Sequence, residues 1–125
     1  MEETLRCRHY NLREFDQIGI YGTGLAGRET FMALEKMGIH ISFFLDGDAG
    51  KEGSDFCGRK IQNIGQIVKE AVILIAAAPA YGIHKRLEAA GIHEWDYVDP
   101  ALVRLHSEGR GMDWTKRNVE KIRMR

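Results

Sequence analysis

Short apolar runs punctuate the chain, and each is closed by a glycine, an acid or a proline turn. Residues 18–21 run into Gly22, 39–45 into Asp46, 72–76 into Ala77-Ala78-Pro79, and 95–98 into Asp99-Pro100. Apolar runs of this length suit strands buried on both faces, and the β-branched run at 72–76 suits a sheet centre. Between them the period becomes helical. Gly27, Phe31, Leu34 and Gly38 fall at i, i+4, i+7 and i+11, with Arg28, Glu35 and Lys36 off that stripe and Gly38 placed to stop the helix. Ile83, Leu87 and Ala90 repeat the pattern, with Gly91 as the stop. Residues 59–62 read as a short extra strand, and 64–69 as one or two helical turns.

The order β-α-β-(β-α)-β-α-β predicts an α/β fold, with a parallel sheet of about five strands and helices on both faces. Right-handed crossovers give the expected strand order 3-2-1-4-5. Residues 1–16 read as a lead-in. Asn11 and Glu14 form a capping-box-like pair that would start one turn from Leu12 to Phe15 under the first strand, with Leu5, Tyr10 and Phe15 as covering residues. Residues 17–108 carry the domain. Gly109-Arg110-Gly111 reads as a hinge, and 109–125 as a basic C-terminal helix or linker with Asp113 as its N-cap.

Composition narrows the class. A chain of 125 residues with 44% hydrophobic and 29% charged positions fits one soluble globular domain. Basic and acidic residues balance at 18 each, which argues against a nucleic-acid partner. From Arg104 onward seven basic residues face three acidic ones, so a tail of charge +4 balances −4 elsewhere; it reads as a solvated helix or a contact for an acidic partner. No apolar stretch approaches the roughly 20 residues of a membrane helix, and the start lacks a signal-peptide core. Cys7 and Cys57 have no Cys-x-x-Cys partner and are expected as free thiols in a cytoplasmic, reducing setting.

The turn after the first run carries the chemistry. Gly22-Thr23-Gly24-Leu25-Ala26-Gly27 is a Gly-x-Gly-x-x-Gly between a predicted strand and a predicted helix, the context of the dinucleotide-binding fingerprint. A phosphate needs backbone N–H groups aimed at it and a chain without a Cβ in the way. Gly22 permits the tight turn, Gly24 the approach and Gly27 the close packing of helix on sheet, while the helix start near Leu25 adds partial positive charge. Asp46 follows Gly27 by nineteen residues, where an acid would accept ribose hydroxyls. It is also a plain turn residue, and Asp48 is the alternative. Such an acid disfavours a 2′-phosphate, so NAD or a UDP-type ribose suits it better than NADP.

Arg28 puts a cation in the first helical turn, against the dipole; a bound phosphate would compensate it, as would solvent. Ala77 and Ala78 close the 72–76 run and would form the opposite wall of a crevice, with Tyr81 lining it. Tyr81 and Lys85 fit Tyr-x-x-x-Lys, the proton-transfer pair of short-chain dehydrogenases, but lie too early in the chain for that enzyme. The five histidines show no metal-ligand spacing.

Tyr21 to Arg28, Phe44-Leu45-Asp46-Gly47-Asp48 and the 72–76 run together resemble the small Rossmann-like domains attached to bacterial sugar-modifying enzymes. Those occur at the front of β-helical sugar acyltransferases, beside FkbM-type methyltransferases and in polysaccharide-biosynthesis dehydratases. The likeness spans about residues 17–98. It implies a single Rossmann-like domain with a nucleotide-sugar or dinucleotide site at the glycine turn, and Asp46 or Asp48 near the ribose or sugar. Neither a hexapeptide β-helix nor a methyltransferase is present in the 125 residues.

Three functions follow as expectations. The first is a nucleotide-binding module, for a nucleotide sugar or NAD, serving a sugar-modifying or polysaccharide-biosynthesis system without catalysis of its own. Its partners would be a small-molecule nucleotide and either a second copy of the chain or a separate catalytic domain or subunit. The second is a small NAD-dependent oxidoreductase or dehydratase using Tyr81 and Lys85. The third is a regulatory protein on a degenerate Rossmann domain, read through its basic tail.

Overall fold

A computed structural model describes residues 12, 15–67, 70–77 and 80–99. The expected features at Leu5, Tyr10, Asn11, Glu14, Ala78 and 100–125 lie outside them. The described chain is mixed α/β: β1 (Ile18–Tyr21), α1 (Leu25–Lys36), β2 (Phe43–Leu45), β3 (Asp55–Phe56), β4 (Arg59–Lys60), β5 (Val72–Ile75), α2 (Ala80–Ala89) and β6 (Trp95–Tyr97). Four strands form a parallel sheet in the order β2-β1-β5-β6.

The alternation of side chains along each strand divides the core in two. Ile18, Ile20, Phe44, Val72 and Leu74 face Ala33 and Leu34 of α1. Tyr21, Phe43, Leu45, Ile73 and Ile75 face Ile83 and Leu87 of α2. The two helices therefore cover opposite faces, which is why β5 is apolar at every position. Leu12 and Phe15 pack on the α1 side, joined by a Phe15 N–H bond to the Leu12 carbonyl of 3.1 Å.

Both helices end in the same device. Gly38 (φ +83°) donates to the Glu35 carbonyl at 2.9 Å, and Ile39 to that of Leu34 at 2.9 Å. Gly91 (φ +85°) donates to Glu88 at 3.0 Å, and Ile92 to Leu87 at 2.9 Å. Each is a Schellman cap whose following isoleucine is buried in the adjoining core.

The first cap shortens the second strand. The run 39–45 was expected to pair throughout, yet only Phe43–Leu45 does. Ile39 is spent on the cap, and the Ile41 N–H goes to a Glu35 carboxylate oxygen at 2.9 Å.

The expected third strand, 59–62, does not join the sheet as a strand. Arg59–Lys60 pairs antiparallel with Asp55–Phe56 through a two-residue turn, Cys57 and Gly58, both with positive φ. Positive φ at both positions is the hallmark of a type I′ hairpin. Ile61 makes one parallel bridge with Phe44, but its own N–H goes to Ser54 at 2.8 Å and its carbonyl accepts from Gly53 at 2.8 Å. The backbone that would extend a strand is already committed to the hairpin side. Arg59 fastens this hairpin to the end of α1, bonding Glu35 at 2.9 Å and the Ile41 carbonyl at 2.6 Å. Of the expected helix at 64–69, Ile64–Gln66 forms a 3₁₀ turn capped by Asn63, and 68–69 lie outside the described residues.

Candidate functional site

The site begins at the carboxyl ends of β1, β2 and β5. Gly22 leaves β1 with φ +130°, and a Cβ there would lie 2.7 Å from the Ala76 carbonyl oxygen. Only glycine meets both demands at low cost. Gly27, one turn into α1, is pressed against this turn: a Cβ on it would lie 2.0 Å from the Gly22 carbonyl oxygen. Gly24 is different. Its backbone is extended (φ −107°, ψ −156°), and a Cβ on it would meet no protein atom within 4 Å. The fold does not require a glycine there; the space beside it is open.

That space belongs to a pocket of about 500 Å³, within the range of small-molecule and cofactor sites. Gly22, Thr23, Gly24, Leu25 and Ala26 line one side, Asp46 and Gly47 a second, and Ala76 and Ala77 the wall opposite. No side chain caps α1 at Gly24, and its first turn holds no acid, so the amides that open the helix are left for solvent or a ligand. Leu25 is 71% exposed at the rim.

Asp46 is the best-held polar group of the pocket. One carboxylate oxygen accepts from the Thr23 hydroxyl, and the other accepts the Asp48 N–H at 2.8 Å. Lys51 approaches from the turn after β2, 3.7 Å from Asp46 and 3.3 Å from the Thr23 oxygen. Partial burial pushes the Asp46 carboxyl up. The Thr23 hydroxyl, the Asp48 amide, the Lys51 charge and the Thr23 amide together outweigh it, and hold the carboxyl below its ordinary value. Asp46 is therefore an ionised, pre-oriented acceptor at neutral pH.

The remaining sequence candidates are placed apart from these. Asp48 accepts from Gly50 at 2.9 Å and so caps the 3₁₀ turn Ala49–Lys51. Arg28 lies over the Phe56 ring, 5.2 Å from its centroid, so the β3–β4 hairpin meets that cation. Tyr81 sits in the first turn of α2, with its side chain outside the described residues.

Tyr21 and Arg86 also line the pocket, and neither was a candidate from the sequence. Tyr21, 4% exposed, ends β1, and its hydroxyl accepts from the Arg86 guanidinium at 2.6 Å. Arg86 lies one turn beyond Gly82 and Ile83 on the pocket side of α2. That spacing was the available signal. Among the described residues no group of three His, Cys, Asp or Glu could hold a metal ion, and no helix is long and apolar enough to cross a membrane.

A scan against models of known protein families finds no match to the chain, and a search of curated proteins finds none either.

Proposed function

We infer that this chain is a Rossmann-like nucleotide-binding module, taking a nucleotide sugar or NAD in the pocket at the glycine turn and serving a cytoplasmic sugar-modifying or polysaccharide-biosynthesis system. One observation carries the reading: a single pocket joins the uncapped start of α1, the ionised Asp46 and the Ala76–Ala77 wall. The chemistry matches a ligand with a phosphate and a diol. Helix-start amides favour an anion. A carboxylate with fixed geometry accepts vicinal hydroxyls. The catalytic step would belong to another domain, subunit or second copy.

Gly24→Val tests it. The substitution costs the free protein no more than about 1 kcal/mol, because the new side chain enters open space and only cap preference is lost. It fills the approach to the helix start and abolishes the thermal stabilisation given by nucleotides. Native mass spectrometry of freshly purified protein is the companion measurement, since a retained nucleotide reports its own mass. Wild-type protein that carries no nucleotide and is stabilised by none across a panel of UDP-sugars, NAD and NADP refutes the reading.

A further inference from the structure

The two charges lining the pocket are not paired with each other. Asp46 and Arg86 are its charged lining residues. Asp46 is already paired, with Lys51 at 3.7 Å. Among the described residues no carboxylate lies within ion-pair distance of Arg86, whose one hydrogen bond is to the neutral Tyr21 hydroxyl. A guanidinium has five N–H donors in a planar fork, so four remain after Tyr21. Tyr21 is fixed by the core at the end of β1, and it holds the head group of a long, otherwise loosely restrained side chain at the pocket wall. The open backbone of Gly47 lies beside both groups: a Cβ there would be 3.4 Å from the Arg86 guanidinium and 3.5 Å from the Tyr21 oxygen.

The geometry points to Arg86 as the residue that selects for a second phosphate, making the ligand class a nucleoside diphosphate or its ester rather than a monophosphate. This rests on the nucleotide reading above. The uncapped helix start favours an anion. A second, adjacent phosphate is the group that a planar, uncompensated guanidinium receives through paired hydrogen bonds. Tyr21 is a positioning residue that acts through Arg86.

The experiment is isothermal titration of the full chain with uridine, UMP and UDP, and with adenosine, AMP and ADP, plus inorganic pyrophosphate. It is run on wild type, Arg86→Gln, Arg86→Lys and Tyr21→Phe. Wild type prefers diphosphate to monophosphate by roughly tenfold to a hundredfold, the worth of a charge-assisted contact. In Arg86→Gln that preference falls to within about threefold while monophosphate affinity holds, the difference being confined to that contact. Arg86→Lys keeps part of it, because the charge stays and the fork is lost. Tyr21→Phe reduces the preference without altering nucleoside affinity, a ratio that a merely structural role would not move. An unchanged preference in Arg86→Gln overturns the proposal, as does an equal loss for nucleoside, monophosphate and diphosphate. If no nucleotide binds wild type but pyrophosphate does, and Arg86→Gln abolishes it, the nucleotide reading falls and the anion role of Arg86 stands. Binding of neither nucleotide nor pyrophosphate overturns both.

Discussion

Gly27→Ala adds one methyl group where the strand-to-helix turn leaves none. The new carbon would lie 2.0 Å from the Gly22 carbonyl oxygen, about 1.3 Å inside the closest comfortable carbon–oxygen contact. The obstacle is backbone, and that backbone is itself pinned: the Gly22 N–H bonds the Leu45 carbonyl at 2.8 Å, and Gly22 abuts the Ala76 oxygen. Relief must come from moving α1 away from the sheet, against the packing of Ala33 and Leu34. Overpacking of this kind costs about 1–3 kcal/mol, and a pinned obstacle puts it at the upper end. Alanine returns about 1 kcal/mol as the better helix former. The net expectation is a loss of about 2 kcal/mol, which in a domain of this size lowers Tm by on the order of 10 °C. Urea unfolding followed by far-UV circular dichroism measures it, with Gly24→Ala as the matched control, since a Cβ there touches nothing. A Gly27→Ala protein within about 0.5 kcal/mol of wild type, the range of an ordinary surface substitution, would refute the close approach.

Three further outcomes are expected. Gly19→Ala places a Cβ 2.1 Å from the buried Phe43 ring and costs about 1–3 kcal/mol; adding Phe43→Leu recovers part of the loss, a coupling that a double-mutant cycle reads directly. Asp46 has a lowered carboxyl pKa, so the folded state resists its protonation. Its stabilising contribution is present above the ordinary carboxyl range and is lost as pH falls through the lowered value. Asp46→Asn is therefore less stable than wild type at neutral pH, and the gap closes in an acid titration of Tm. Glu35→Ala leaves the N–H of the fully buried Ile41 without its acceptor and costs about 1–3 kcal/mol, whereas Glu35→Gln keeps an acceptor and loses clearly less in the same urea titration.

What was legible in the sequence was local. Strands 18–21 and 72–75, the glycine turn, and both glycine-terminated helices follow from period and punctuation, which act over a few residues. The second strand came out too long because apolar character at 39–41 serves a helix cap and a core, not only pairing. The 59–62 segment looked like a sheet strand because composition does not reveal that its backbone bonds are committed to Gly53 and Ser54. Within the site, Gly22, Thr23, Gly24, Asp46 and Ala77 were readable as candidates, and the structure brings them to one pocket. Arg86 was not, since its meaning depends on Tyr21, 65 residues away. Gly19 was hidden for the same reason: it faces Phe43 across a strand register that no local pattern encodes.

The β3–β4 hairpin also settles how the sheet ends. A parallel sheet normally exposes a row of unpaired backbone groups at its outer strand, a template for another chain. Here the outer side of β2 is partly occupied: Phe44 bridges Ile61, and its carbonyl accepts the Gln62 N–H at 2.9 Å. The Arg59 clasp on Glu35 keeps this cover in place. Strand addition is thereby obstructed at Phe44, the middle residue of β2, and a second copy that joins this one is steered toward side-chain contacts or another edge.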